Sequence, residues 1–425
     1  MKLKRTELAV ARERVVLVGV ADDAANPLEE IRRLADTAGA VVVGECVQRR
    51  RSADPATFLG KGKVEELVAL CDELKADTII MDADLSPAQV RNLEELTDRK
   101  VIHRTELILD IFARGARTAM ACDQVELAQL EYAFPRLKKM WTHLDTIEGG
   151  IGMRGPGERQ IETDRRLVRK RIQDLKERIR LSAVRHSQEV ASRAEEQTVC
   201  LVGYTNAGKS TLMNALTGAG VLTDDKLFST LDTRTRACQL GEGRKILLSD
   251  TVGFIRRLPH NLVASFHATL EEARQAGLLL HVVDASSPEA EEQMQSVLET
   301  LGEVGCAEQA ILNVFNKADA PADETVLPLL RRKFGEGQAV SALNGTGLEE
   351  LRARVREFFD RQAVTAVVSM SPSEGRAQAY LAEHAEILAR DYADEEVTLE
   401  VRIPPWRLGV LRKMGVTCKV KGRRV

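Results

Sequence analysis

Residues 197–218, QTVCLVGYTNAGKSTLMNALTG, constrain the fold more than any other stretch of this chain. QTVCLVGY has the β-branched, apolar composition of a buried strand. Gly203-Tyr204-Thr205-Asn206-Ala207-Gly208-Lys209-Ser210 then satisfies G-x-x-x-x-G-K-[ST], and the chain continues from Thr211 in a helical pattern. A strand that enters a glycine-rich turn, with a helix opening directly after it, aims backbone N–H groups and the positive helix end at an anion. The glycines let the backbone curl around a β-phosphate. Lys209 offers a point charge to the β- and γ-phosphates, and the Ser210 hydroxyl is a ligand suited to Mg2+.

Three further segments follow in order. KILLSDTVGF is a strand ending in Asp250-Thr251-Val252-Gly253. Asp250 can hold Mg2+ through water, and the Gly253 N–H can reach a γ-phosphate. AILNVFNKAD is a strand ending in Asn316-Lys317-Ala318-Asp319. A carboxylate at Asp319 accepts from guanine N1–H and the 2-amino group, a donor pair that adenine lacks, so the site is expected to take GTP and reject ATP. AVSALNGTG supplies Ser341 and Ala342, whose backbone can contact guanine O6. Between Ser210 and Asp250, FSTLDTRTR offers Thr230, Thr233 and Thr235 as the threonine that completes the Mg2+ and γ-phosphate contacts; Thr230 is favoured by its place after Phe228. Lys209, Asn206, Thr230 and Gly253 are the candidate catalytic residues. The position after Gly253, where many GTPases carry a water-orienting Gln, holds Phe254. A phenyl ring cannot make the needed hydrogen bonds, so intrinsic hydrolysis is expected to be slow and activation to come from outside.

The chain is 425 residues long, enough for about three domains. The expected class is α/β multidomain. Residues 1–122 alternate apolar strands with helical patterns, as in RVVLVGV, NPLEEIRRLADTAGA, VVVGECV, KVEELVALCDELKA and DTIIMDA, which predicts an α/β domain with a mainly parallel sheet. FLGKGK at 58–63 lacks a G-K-[ST] ending and reads as a loop before a helix. In residues 123–192, Leu127, Leu130, Phe134, Leu137, Trp141 and Leu144 form one stripe, and Ile161, Val168, Ile172, Leu175 and Ile179 a second. Their spacings predict two long helices in a hairpin, kinked at Pro135, with residues 149–157 as the connecting loop. That loop contains GIGMRG, a match to G-x-G-x-x-G. A helix rather than a strand enters it, so it is no dinucleotide turn. The GTPase domain is placed at 193–362. Residues 363–425 read as a small α+β domain: strand TAVVSMSP, helix EGRAQAYLAEHAEILARDYA, strand EEVTLEVRIP, a short helix and a final strand.

Net charge is −3, so any affinity for nucleic acid must be local. From Lys138 to Arg180 there are 12 Lys and Arg against 7 Asp and Glu. From Arg407 onward the seven basic residues Arg407, Arg412, Lys413, Lys419, Lys421, Arg423 and Arg424 meet no acidic one; they form a solvated tail or a contact for RNA phosphate or an acidic protein. The seven cysteines stand singly, the pattern of reduced thiols rather than a disulfide or zinc framework. No apolar run is long enough for a signal peptide or a membrane span, and a cytoplasmic location is expected.

The order of these motifs, GYTNAGKST, DTVGFIRRLP and FNKAD, with GGIGMRGPGERQIETDRR upstream, resembles the HflX family of ribosome-associated GTPases over nearly the whole chain, least in the last sixty residues. The resemblance implies GTP and GDP as ligands, hydrolysis stimulated by the ribosome, and binding to the large ribosomal subunit with separation of stalled ribosomes. It implies that Gly149, Gly150, Gly152, Met153, Arg154, Gly155 and Gly157 form a ribosome-contacting loop. Related GTPases with Asn at the Asn206 position bind K+ beside the phosphates; the other reading is that Asn206 braces the loop. A monomer is expected. The competing functions are a GTP-switched module that binds RNA or a protein without splitting ribosomes, and an RNA-remodelling ATPase built on the N-terminal domain.

Overall fold

The computed structural model describes residues 12–21, 28–49, 53–140, 156–192, 197–218, 227–228, 234–241, 244–256, 267–320, 325–393, 396–404 and 407–421. Its N-terminal domain follows the alternation in the sequence: β1 (Arg14–Ala21), α1 (Glu29–Thr37), β2 (Val41–Arg49), α2 (Lys61–Glu73), β3 (Thr78–Met81), α3 (Pro87–Thr97), β4 (Lys100–His103) and α4 (Arg104–Gly115). The strands form one parallel sheet in the order β2-β1-β3-β4. Val15 to Val18 are all fully buried, as expected of a strand covered on both faces. Ser86 Oγ accepts from the Gln89 N–H and the Ser86 N–H donates in return to Gln89 Oε1, a capping box with Pro87 at the first helical position,. The FLGKGK stretch leads into α2 with the Gly60 N–H bonded to Gln48 Oε1 and Lys63 paired with Glu66.

Two helices, α5 (Ala119–Met140) and α6 (Pro156–Ser192), pack on each other as the hairpin. Leu127 and Leu175 are buried. Arg171 grips Glu126 with two bonds of 2.6 Å, and Lys176–Glu131 (2.7 Å) and Arg178–Asp123 (2.9 Å) extend the clasp. Helix α5 continues through Pro135. Helix α6 starts at Pro156, so residues 156 and 157 are the first helical turn rather than the end of the loop expected at 149–157. Proline suits that turn because its missing N–H has no partner there. Gly149, Gly150, Gly152, Met153, Arg154 and Gly155 lie outside the described residues.

The next domain contains β5 (Thr198–Gly203), α7 (Lys209–Thr217), β6 (Arg234–Gly241), β7 (Arg244–Asp250), α8 (His267–Gln275), β8 (Leu278–Asp284), α9 (Ala290–Glu303), β9 (Ile311–Asn316), α10 (Val326–Phe334), β10 (Gly337–Ala339) and α11 (Leu348–Arg361). The sheet order is β10-β9-β8-β5-β7-β6, with β6 antiparallel to β7 and the other pairs parallel. One apolar cluster runs across the first two α/β units: Leu28, Leu107, Ile108 and Phe112 belong to the same core as Val202, Tyr204, Phe228, Phe254 and Ile255.

The last domain is β11 (Val364–Met370), α12 (Gly375–His384), β12 (Glu386–Tyr392), β13 (Val397–Ile403), α13 (Arg407–Lys413) and β14 (Thr417–Val420), an antiparallel sheet in the order β12-β13-β11-β14. Here the sequence reading needs correction. EGRAQAYLAEHAEILARDYA is not one helix: it is helical to His384 and extended from Glu386. Ala377 and Leu381 bury one helical face. Beyond them Ile387 pairs with Val401 across the sheet, and this long-range pairing overrides the helical preference of EILAR. Of the seven cysteines, Cys46, Cys71, Cys200, Cys238 and Cys306 are buried and none is in a disulfide. Among the described residues no helix is long and apolar enough to cross a membrane.

Candidate nucleotide-binding site

Parallel strands deliver their carboxyl ends to one edge of the sheet, and β5 lies between β8 and β7, where the direction of winding changes. Such an edge is the usual ligand crevice of an open α/β sheet. Gly203 ends β5, Asp250 ends β7 and Asn316 ends β9, so three motifs far apart in sequence meet there. The phosphate loop requires its glycines. A Cβ on Gly203 would lie 2.2 Å from the Val282 carbonyl oxygen, and one on Gly208 would lie 2.3 Å from Asn316 Nδ2, at a φ of +89°. Asn206 also takes a positive φ, +60°, which asparagine tolerates better than most residues. Helix α7 opens at Lys209, directly after Gly208, so its free N–H groups face the loop.

Lys209 is buried, and its Nζ donates to the carbonyl oxygens of Gly203 (3.0 Å) and Tyr204 (2.8 Å). Burial lowers its pKa to about 8, with Asp250 opposing the shift. A nearby polyphosphate favours the charged ammonium. The Ser210 hydroxyl donates to Asp250 Oδ2 at 2.6 Å, and Asp250 is 1% exposed. A hydroxyl and a carboxylate brought together in this way are hard oxygen donors, the set that fits Mg2+. Thr251 spends its hydroxyl on the Leu201 carbonyl, 2.7 Å away, and Val252 is buried beside it. Gly253 lies so close to the loop that a Cβ there would stand 2.8 Å from Thr205 Cγ2 and 3.0 Å from Lys209 Nζ. Phe254 is buried in the apolar core, yet its backbone pairs with the loop: the Thr205 N–H donates to Phe254 O (2.7 Å), and the Phe254 N–H to Gly203 O (3.1 Å).

At the other end, Asn316 is 2% exposed and makes two buried bonds. Its Nδ2 donates to the Ala207 carbonyl (2.9 Å), and its Oδ1 accepts from the Ala342 N–H (3.0 Å). One side chain thereby staples the phosphate loop to the Ser341-Ala342 turn. Lys317 has a φ of +60° and its Nζ pairs with Asp284 at 2.6 Å. Asp319 is exposed at the same edge. Ser341 is fully buried and its Oγ accepts from the Asn344 N–H at 3.2 Å. Thr211 follows Ser210 in α7. Thr235 lies within β6, its hydroxyl 3.0 Å from Ser249 Oγ and 3.3 Å from both Glu272 oxygens. That ties it to the sheet. Thr230 and Thr233 lie outside the described residues.

Two features of this site were not legible in the sequence. Tyr204, read only as part of the phosphate loop, turns its ring into the core shared with the N-terminal domain and bonds to Glu30. His281, on β8, is wholly buried; burial and then the Lys209 charge push its pKa down to about 4, with Asn313 acting the other way. Neither carries a local signal: Glu30 is 174 residues from Tyr204, and LLLHVVD reads as any buried strand.

Three family models match consecutive stretches of the chain. They are described as "GTP-binding GTPase N-terminal" (residues 25–113), "GTP-binding GTPase Middle Region" (115–194) and "50S ribosome-binding GTPase" (198–317). Among curated proteins, the "GTPase HflX" of Lacrimispora saccharolytica is 44% identical over 94% of this chain and 95% of its own length. That of Escherichia coli is 40% identical over 93% and 95%. Among solved structures, a GTP-binding protein from Sulfolobus solfataricus in complex with GDP is 26% identical over 81% of this chain and 98% of its own, with a TM-score of 0.44. With a phosphate loop, an Asp250 motif and an Asn316 motif at one sheet edge, and relatives of this identity along nearly its full length, the chain belongs to the HflX family of GTPases.

Proposed function

We propose that this GTPase binds the large ribosomal subunit and uses GTP to separate stalled ribosomes into subunits. The observation that carries the reading is the hairpin. Helix α6 has 37 residues, about 55 Å at 1.5 Å per residue, and ion pairs clasp it to α5 near its middle. An arm of that length is more than the GTPase domain needs for its own core. Its basic stretch from Lys138 to Arg180 suits RNA, because neutralising phosphates provides much of the affinity. The model described as a 50S ribosome-binding GTPase, and the relatives named HflX, support the same partner. The loop residues Gly149 to Gly155, with Arg154 able to pair with phosphate or stack on a base, are assigned to ribosome contact.

Within the GTPase domain, residues 203–211 cradle the phosphates, Asn316, Lys317, Asp319, Ser341 and Ala342 hold the base, and Asp250 to Gly253 face the γ-phosphate. Ser210, Asp250 and Thr230 would hold Mg2+, which supplies charge neutralisation at the phosphates when bound. Lys209 places its charge on the β- and γ-phosphates, and the Gly253 N–H orients the terminal phosphate. Asn206 would hold K+, which supplies further positive charge at the phosphates when bound. Because Phe254 is buried, it cannot orient water, and the ribosome completes the activation.

Sucrose-gradient sedimentation of ribosomes with and without the protein and GTP tests the reading. Subunits should accumulate with GTP. Shortening the hairpin loop, or Arg154→Ala with Met153→Ala, should reduce splitting and leave intrinsic GTP hydrolysis nearly untouched. Intact ribosomes in the presence of bound protein and GTP would favour the alternative, a GTP-switched regulatory module.

A further inference from the structure

Glu30 stands in the first turn of α1, in the N-terminal domain, yet two groups of the GTPase domain, Tyr204 and Arg256, converge on it together with Arg104 of its own domain. The Tyr204 hydroxyl, from the second residue of the phosphate loop, donates to Glu30. The same tyrosine oxygen accepts from the Arg256 N–H at 2.8 Å. The Arg256 guanidinium lies 3.6 Å from the Glu30 carboxylate and reaches outward to Glu289 (3.7 Å) and Glu292 (3.0 Å). Arg104, from the start of α4, pairs with Glu30 and with Asp82 at 2.7 Å, and donates to the Arg256 carbonyl at 3.2 Å. The Glu30 and Arg104 side chains are 10% and 6% exposed, so these charge-assisted bonds act out of bulk water, where they are strong. Burial and the Glu30 charge raise the Tyr204 pKa, which keeps the phenol protonated and donating.

An apolar layer surrounds this polar knot. The Phe112 ring meets Phe228 edge-on at 4.6 Å, and the Leu227 N–H donates to Thr37 Oγ1 at 3.2 Å. The N-terminal domain therefore touches the phosphate loop, the Phe228 stretch and the Phe254–Arg256 peptide at once.

We propose that Glu30 is a positioning residue for GTP hydrolysis, acting through Tyr204 and Arg256. The link to the reacting phosphate is short. Arg256 is three residues beyond Gly253. Thr205 and Phe254 exchange backbone bonds with their partners across the loop, so the phosphate loop and the Asp250–Gly253 peptide are sewn together. Gly253 in turn packs against Thr205 and Lys209 Nζ. A carboxylate that holds Tyr204 on one side and Arg256 on the other sets the position of Gly253 relative to Lys209. Preorganised donors aimed at developing charge lower the barrier without tightening ground-state binding. Because coupling is reciprocal, a γ-phosphate that draws on Gly253 also changes the hold of the two domains on each other.

The test uses the full chain. Intrinsic GTP hydrolysis is measured by steady-state kinetics, and GTP and GDP affinity by equilibrium binding, for Glu30→Gln, Glu30→Asp, Tyr204→Phe and the double variant Glu30→Gln/Tyr204→Phe. The expected result is a drop in kcat of about fivefold for Glu30→Gln and for Tyr204→Phe, with KM and GDP affinity within about twofold of wild type. Glu30→Asp should recover part of the loss, and the double variant should be no slower than the slower single variant. Unchanged kcat in Tyr204→Phe, or a double variant whose loss is the product of the two single losses, would overturn the proposal. Should Glu30→Gln fail to fold, Tyr204→Phe, which removes a single oxygen, decides the matter by the same kcat and KM readout.

Discussion

Replacing Asn316 by alanine should damage both stability and nucleotide affinity, although Asn316 Nδ2 and Oδ1 are both spent on the protein itself. The substitution leaves the Ala207 carbonyl and the Ala342 N–H without their partner in a buried setting, where Ala207 is 1% and Ala342 8% exposed. Each orphaned group costs about 1–3 kcal/mol; a total of about 2–4 kcal/mol allows for local relaxation. At roughly 2–4 °C per kcal/mol for a domain of this size, the thermal midpoint of the GTPase domain should fall by about 4–16 °C. Affinity should fall as well. The Ala207 carbonyl and the Gly208 N–H belong to one peptide unit, so a carbonyl free to rotate turns that N–H away from the phosphates. A loss of at least about tenfold in GDP affinity corresponds to about 1.4 kcal/mol. Displacement of a fluorescent GDP analogue and thermal unfolding of the full chain measure the two effects. Asn316→Asp sharpens the test, because it keeps an acceptor for Ala342 but sets oxygen against the Ala207 oxygen; it should be at least as harmful as alanine to GDP binding. A midpoint within about 1 °C and an affinity within about twofold of wild type in Asn316→Ala would refute the staple argument.

Asp319→Asn should weaken GTP binding by at least about tenfold and favour xanthosine nucleotides, whose 2-oxo group matches an amide donor; unchanged affinities would remove Asp319 from the base site. Replacing KCl by NaCl at equal ionic strength should slow hydrolysis, and Asn206→Ala should abolish the difference; equal wild-type rates in both salts would eliminate the K+ site. Stability should fall as pH drops from the ordinary histidine value of 6.5 towards 4, because the unfolded chain protonates His281 while the folded one holds it neutral, at up to about 1.4 kcal/mol per pH unit. Urea midpoints measured at pH 7, 5.5 and 4.5 should show a shallower decline in His281→Leu than in wild type; parallel declines would assign acid lability elsewhere.

Much of this protein is written in short stretches. The strand, glycine turn and helix around Gly203–Ser210 depend on local chemistry: β-branched residues favour the strand, only glycine fits beside Val282 O, and Lys209 follows Gly208 directly into the helix. The alternating N-terminal strands and the paired apolar stripes of the hairpin are periodic signals of the same local kind. Tertiary structure decided the rest. Residues 386–392 have a helical composition but are extended, because β13 offers them a backbone ladder that no neighbour in sequence can. Phe254 reads as a missing glutamine, yet its ring fills a core to which Phe112 of another domain contributes. Glu30 reads as one more acidic residue in a first helical turn. Its meeting with Tyr204 and Arg256 follows from how two sheets dock, and docking depends on side chains that lie more than a hundred residues apart.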